Sequence, residues 1–356
     1  MSSLPMMEIN LKRMIKNFQT AQSKCDALGI KLRPHLKTLH RPEYCESLRE
    51  LGLQQICVSN LTMLSAFLNA GWRDICLAMP CSPHWISQLN DYLADYSCEI
   101  TLYVDHRDQV VALNGLNQPV NVMIEVDAGQ ARSGVHWKHE STLLDLIDQL
   151  NRSNHHFTGL TSHFGHHYQC ENKDEVMSEM AHSMMRILQL KEHLELALNE
   201  SLPLSVGDTP SFLAMNFFDQ VTEIRAGNFL LNDLTMHAKG VCEFSHLACA
   251  LRSSVISKFD TDLRVVVHAG AVHLSNEKHP DPDVMYGWIG WPSTDFPDAP
   301  IAGGKIIELY QEHAVITLPK LAFDRIEIGH ELLLFPVHSC LAVDAMSHKQ
   351  QVTLLG

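Results

Sequence analysis

Lys37, in the segment KLRPHLKTLH, stands just past the end of a short apolar run that reads as a strand. A primary amine at the mouth of a barrel can condense with a carbonyl group, which makes it a candidate Schiff-base nucleophile. The same residue in the same place is also read as an ordinary solvated lysine. Two later loops have the composition of an anion cradle. In SVGDTPS (205–211), Gly207 permits close backbone approach, Thr209 adds a hydroxyl and Pro210 suits the start of a helix. In RAGN (225–228), Gly227 and Asn228 offer further N–H donors. Towards the C terminus, His338 and Cys340 lie two apart in what reads as a β-strand, so both side chains are expected on one face. An imidazole and a thiolate so placed suit a borderline-soft divalent ion, zinc by preference. A core histidine beside a buried cysteine has the same spelling.

These groups need a frame. From about residue 9 to residue 235, eight short apolar runs alternate with helix-period stretches, the pattern of βα units. The runs are IKLRP (30–34), QQICVSN (54–60), DICLAM (74–79), CEITLYVD (98–105), NVMIEVD (121–127), FTGLTSHF (157–164), PLSVG (203–207) and QVTEIRAG (220–227). Eight strands close a barrel, whose reactive groups sit at the C-terminal strand ends and whose phosphate sites follow the seventh and eighth strands. That rule puts Lys37 and both loops at one mouth. Leu61, Leu64, Phe67 and Leu68 form one helical stripe, and Leu143, Leu144, Ile147 and Leu150 another. A longer stripe over 173–199 carries Met177, Met180, Met184, Leu188 and Leu194, read as core filler.

After residue 235 the helical period fades into strands such as LRVVVHAG, KIIELYQEHAVITL, HELLLFPVH and QQVTLL. The fold class is therefore α/β: a (β/α)8 TIM barrel over 9–235 and an all-β domain over 236–356, which residues 1–8 could complete. A Pro/Gly/Asp-rich stretch, about 278–304, reads as a long surface loop serving as a lid or interface element.

Apolar residues make up 46% of the 356-residue chain and charged residues 19%, so the chain is expected to fold throughout. The formal net charge is -14, with no Lys/Arg block to follow a phosphate backbone, which excludes nucleic acid as an expected partner. No secretory leader or membrane-length apolar run is read, and the expected location is cytoplasmic. The ten cysteines are scattered without C-x-x-C pairs and read as buried free thiols. Most of the 22 histidines, His155, His156 and His182 among them, read as polar loop or helix-edge residues.

The motifs RPHLKT (33–38), EVDAGQARSGV (125–135), HFGHHY (163–168), SVGDTP (205–210), EIRAGNFLLND (223–233) and PVHSC (336–340) occur in that order. With them the chain resembles the fold-type III pyridoxal-phosphate enzymes, which share an alanine racemase-like barrel, and among them the zinc-dependent D-serine dehydratase and D-threonine aldolase family. The resemblance implies pyridoxal 5'-phosphate on Lys37 and Arg132 close to its ring. It implies His163 and Tyr168 facing that ring, and Gly207, Thr209, Gly227 and Asn228 around its phosphate. It also implies Zn2+ or another divalent metal on His338 and Cys340, and a homodimer in which the β domain closes the partner's site. The His-x-Cys pair and HFGHHY look like the dehydratase form, so β-elimination of a small D-amino acid, D-serine first, is expected. Retro-aldol cleavage of D-threonine is the alternative; racemisation and a non-catalytic cofactor carrier stand behind it. In VVVHAGAVHLSNEK (265–278), His268 and Asn276 stand where the family usually has acids.

Overall fold

Eight short parallel strands, each followed by helical or turn structure, nearly close on themselves in the computed structural model, which describes residues 4–279, 281, 282, 284–293 and 295–356. In chain order the strands of this half are β1 (Met6–Asn10), β2 (Lys31–Leu32), β3 (Gln55–Val58), β4 (Asp74–Pro80), β5 (Glu99–Val104), β6 (Asn121–Asp127), β7 (Val135–His136), β8 (His156–His163), β9 (Leu204–Gly207) and β10 (Glu223–Ile224). Those of the barrel hydrogen-bond in the order β2-β10-β9-β8-β6-β5-β4-β3, with β7 added on β6. The two ends meet at a parallel bridge between His35 and Cys57, where the Cys57 amide donates to Pro34 O at 2.9 Å. Near-continuous apolar runs suit strands covered on both faces. The barrel expected from the sequence is the one observed.

The second sheet contains β11 (Cys249–Phe259), β12 (Arg264–Val267), β13 (Gly287–Gly290), β14 (Lys305–Leu309), β15 (Ala314–Thr317), β16 (Glu331–Pro336) and β17 (Val352–Leu355). Its order is β12-β15-β14-β13-β16-β11-β1-β17, and β12 also pairs with β11. Thus β1 belongs to this sheet, antiparallel to β11 and parallel to β17. Met7 and Ile9 are fully buried, while Glu8 between them takes a two-pronged ion pair from Arg252 at 2.6 and 2.9 Å. Asn10 then ends the strand and caps the helix Leu11–Leu28 through the Arg13 amide. That helix buries Met14, Phe18, Ala21 and Cys25, one stripe at helical spacing.

The expected C-terminal β domain is present, its strands joined in part by the helices Ala271–Leu274, Lys320–Phe323 and Ser339–His348. Three readings within it need correcting. KIIELYQEHAVITL is not one strand but the β14–β15 hairpin. The stretch 278–304 contains β13, which pairs with both β14 and β16; residues 280, 283 and 294 of that stretch lie outside the described ones. His338 and Cys340 are likewise not on a strand. β16 stops at Pro336, which has no N–H to extend a ladder, and His338 becomes the N-cap of Ser339–His348. Ala342, Val343 and Met346 are that helix's buried stripe.

All ten cysteines are free, and nine of them are buried. His155 is buried, its Nε2 2.9 Å from Leu113 O, rather than at a polar edge. Among the described residues no helix is long and apolar enough to cross a membrane.

Gly159 in β8 has φ 124°, and a β-carbon there would sit 2.3 Å from Pro203 O. Gly159→Ala adds both overpacking and backbone strain. We expect it to lower stability by about 3 kcal/mol, read as a lower urea midpoint at unchanged m value.

Candidate active site at the barrel mouth

Side chains from the strand ends, from the Leu36–Thr38 turn and from the segment after β6 line a cleft of about 370 Å3. Lys37 comes from the 3-10 turn Leu36–Thr38, in which Leu36 and Thr38 are buried and Lys37 is exposed to the cleft. The His35 ring caps this turn, accepting the Lys37 amide at 3.3 Å. Tyr103 of β5, Glu125 of β6, His163 of β8 and Arg225 just after β10 line the cleft with Arg132. A larger cavity, about 940 Å3, opens at the opposite end, around Gln55, Asp74 and Glu99 at the strand starts. Barrel chemistry resides at the C-terminal strand ends, so the smaller cleft is the candidate site.

Positive charge is built into its floor. Arg225 is buried, donating from Nη2 to Ser162 O at 2.9 Å and from Nη1 to Ser205 Oγ, with its guanidinium 5.6 Å from the Tyr103 ring centroid. Around this cation the imidazoles stay neutral. Burial, then the charges of Arg132 and Lys37, push His163 down to about 3; burial and then Lys37 push His35 well below its ordinary value. His163 Nδ1 contacts Gly207 O, a contact the neutral ring makes by donating, which leaves Nε2 as its acceptor. Glu125 is the cleft's buried acid. Its Oε1 is 3.9 Å from Arg132 Nη2, its Oε2 is buried without a hydrogen-bond partner, and burial raises its pKa despite Ser133 and Arg132.

Lys37, Arg132 and His163 thus share one cleft, whereas Tyr168, Gly207, Thr209, Gly227 and Asn228 do not line it. Both glycines are demanded by neighbouring backbone: a β-carbon at Gly227 would lie 2.3 Å from His35 O, and one at Gly207 2.9 Å from Arg225 Cβ. They let the last strands and the lysine turn meet. Thr209 opens the helix Thr209–Ala214, whose N-cap Asp208 accepts the Ser211 amide at 2.7 Å. Thr209 Oγ1 is buried, near enough to Tyr168 to influence its phenol but outside hydrogen-bonding geometry. Asn228 does not present its side chain as a free donor. Its Nδ2 donates to Asp233 Oδ2 at 2.6 Å and its Oδ1 accepts from Ser339 Oγ at 2.8 Å.

His338 and Cys340 face this network. His338 Nδ1 is 3.4 Å from Asp233 Oδ2 and 3.9 Å from Glu277 Oε2, and its ring lies edge-on to Tyr168 at 6.4 Å. Cys340 Sγ and Thr38 Oγ1 share a hydrogen bond of 3.2 Å, one residue from Lys37. Burial alone would suppress both charges. Instead Cys340, then Asp233, hold His338 up to about 11, and His338, then Lys37, lower the Cys340 thiol. Each of the two thus favours the charged form of the other, with the Asp233 carboxylate behind them. Sequence reading passed over Arg225, Glu125, Asp233 and His35. A lone arginine inside the apolar run QVTEIRAG and a lone glutamate inside NVMIEVD were the available signals.

Residues 9–234 match the family described as alanine racemase, N-terminal domain, and residues 248–352 match the "Putative serine dehydratase domain". D-threo-3-hydroxyaspartate dehydratase of Delftia sp. (strain HT23) is 29% identical to the chain, over 94% of it and 90% of that protein. The solved structure of that enzyme superposes with a TM-score of 0.88 at 27% identity, covering 97% of this chain and 93% of that one. A cysteine-to-alanine mutant of it is described as metal-free. D-serine dehydratase of Dictyostelium discoideum is 22% identical over 90% of the chain and 86% of that protein; D-threonine aldolase of Arthrobacter sp is 26% identical over 78% and 74%.

Because the native pKa of Glu125 is raised, the folded state holds its proton over a pH range in which the unfolded chain has lost it. That contribution is complete below the unfolded carboxylate range and is lost as pH rises through the raised native value. Relative to wild type, Glu125→Gln is therefore expected to gain stability as pH is raised through that window and to level off above it. Urea midpoints measured from about pH 4 to pH 8 read the difference.

Proposed function

The chain belongs to the fold-type III pyridoxal-phosphate enzymes, among the D-amino-acid dehydratases and aldolases with an alanine racemase-like barrel, and from that premise we propose that it eliminates water from a small D-β-hydroxy amino acid. One observation carries the reading: Lys37 lines one cleft with Arg132 and His163, while the turn that bears it touches Cys340 through Thr38.

The residues fit the cofactor. An amine, a buried arginine and two neutral imidazoles surround a cleft with an electropositive floor, and Thr209 Oγ1 is a buried hydroxyl in want of a partner. Pyridoxal phosphate held there supplies a conjugated ring that accepts the electron pair left on Cα when a bond to it breaks. Lys37 is its anchor and holds the proton taken from Cα. Arg132, at the rim, and Arg225, in the floor, stabilise negative charge developing between them. His163, kept neutral, presents an uncharged ring face and adds no cation to a cleft already holding three. Gly207, Thr209, Gly227 and Asn228 would offer backbone and hydroxyl groups to its phosphate, and Tyr168, edge-on to His338, would stand between the cofactor and that imidazole.

His338 and Cys340 also fit a divalent ion. His338 Nδ1 faces Asp233, which leaves Nε2 for a metal, the arrangement in which a carboxylate orients a ligating imidazole. A thiolate and an imidazole favour zinc, whose Lewis acidity would act on a substrate β-hydroxyl. A cysteine beside His338, rather than a carboxylate, supports the elimination reading over the aldolase reading, because it belongs to the softer donor set. Loss of the Cα proton and of the β-hydroxyl as water gives an enamine, which on release hydrolyses to a 2-oxo acid and ammonia. Lys37 and Arg132 are both solvent-exposed in the single chain, which favours a homodimer whose second copy covers the cleft.

D-serine, D-threo-3-hydroxyaspartate and D-threonine should be offered to the purified protein with zinc, manganese or chelator. We expect a 2-oxo acid and ammonia from one or both of the first two, and a fall of about 10^3-fold or more in Lys37→Ala, with loss of its cofactor absorbance band. Glycine and an aldehyde from D-threonine, with no elimination product, would overturn the dehydratase reading in favour of the aldolase.

A further inference from the structure

Where the Lys37 turn meets the helix Ser339–His348, three side chains that play no part in the cleft converge: His40, Asp344 and His348. We propose that they bind one divalent transition-metal ion of the zinc class, separate from any ion on His338 and Cys340, which fastens the lysine turn to that helix.

Two of the three donor separations already match those between ligands, and all three atoms lie within 4.8 Å of one another. His40 Nδ1 is 3.1 Å and His348 Nε2 is 3.3 Å from the same oxygen, Asp344 Oδ1. Around a tetrahedral zinc with bonds of about 2.0–2.1 Å, neighbouring ligand atoms stand about 3.3 Å apart. Asp344 and His348 are four apart on one helix face, and the third ligand arrives from the barrel side. The two imidazole rings are tilted by 60° with centroids 5.4 Å apart, so they are not stacked on one another.

Two further observations point to a cation. Asp344 Oδ1 is buried and has no hydrogen-bond partner, although two ring nitrogens stand beside it. A bound ion would satisfy all three atoms at once. His40 also adopts the left-handed backbone, φ 66°, which residues with a side chain rarely occupy and which aims its ring at the helix. Two imidazoles and one carboxylate make a borderline donor set that selects zinc, cobalt or nickel over calcium or magnesium.

A second cluster of similar composition does not qualify. In His268, His273 and Glu312, the His273 Nδ1 accepts the Gly270 amide at 3.1 Å. A neutral His273 then carries its proton on Nε2, 3.5 Å from Glu312 Oε2, and offers no lone pair there. Among the described residues no such bond occupies the Asp344-facing nitrogens of His40 and His348.

The ion would lie at a contact already made by Arg41 Nη2 with Ser347 O at 2.6 Å and by Thr38 with Cys340. It would hold the turn and touch no substrate, so His40, Asp344 and His348 are positioning residues. Full-length holoenzyme, freed of metal by chelator and brought to equilibrium with Zn2+, should retain one more ion per chain than His348→Ala. The His348 side chain is 71% exposed, so its removal leaves the fold intact. His40→Asn and Asp344→Asn should weaken the same site by about tenfold or more. Cys340→Ala should keep this ion, and Cys340→Ala combined with His348→Ala should lose it. In Co2+-loaded protein, the bands lost with His348→Ala should lack thiolate charge transfer. Equal stoichiometry and affinity in wild type and His348→Ala would overturn the proposal, whatever is found at Cys340 or for turnover.

Discussion

Asp233 is the buried carboxylate on which the seam between the two sheets depends. Its Oδ2 accepts Asn228 Nδ2 and the Ser339 amide and faces His338 Nδ1, while Oδ1 accepts the Met236 amide at 3.0 Å. A carboxylate with no exposed side chain remains ionised only when every lone pair finds a partner. Against the burial that would raise its pKa, His338, Asn228 and Ser339 keep it low. One charge thereby ties the loop after the last barrel strand to the start of the helix Ser339–His348. From that helix Cys340 reaches back to Thr38, so the second sheet helps to set the position of the lysine turn.

The cleft inherits its character from what the seam and the strand ends place around it. Arg225 cannot leave the floor, because its guanidinium is buried and bonded on both nitrogens. Lys37 and Arg132 add charge at the rim, and His35 and His163 stay neutral because a further cation there would be costly. Such a cleft favours anions, as a phosphorylated cofactor and an amino-acid carboxylate require. Glu125, half a step back from Arg132, is the single acid among the described residues that line it.

Much of this was legible in the sequence because parallel strands covered on both faces leave unbroken apolar runs, and turns after them leave glycine, proline and charge. Lys37 was read from such a turn, Arg132 and His163 from the family resemblance, and all three line the cleft. What escaped did so for local reasons. Residues 1–8 were read only as a possible completion of the β domain; the strand Met6–Asn10 is present there, with Glu8, the charge in its apolar run, buried against Arg252. His338 and Cys340 passed for the continuation of the strand HELLLFPVH, whereas Pro336 was the available stop signal and SCLAVDAMSH is a helix. Asn228 read as an anion donor because its role depends on Asp233 and Ser339, the latter 111 residues away, which no local pattern reveals.

The central claim, covalent attachment of the cofactor at Lys37, is tested most directly by reducing the holoenzyme with borohydride and mapping the trapped adduct by peptide mass spectrometry. The account requires the phosphopyridoxyl group on the peptide containing Lys37 and on no other. An adduct on a different lysine, or cofactor bound with no trapped adduct at all, would contradict it.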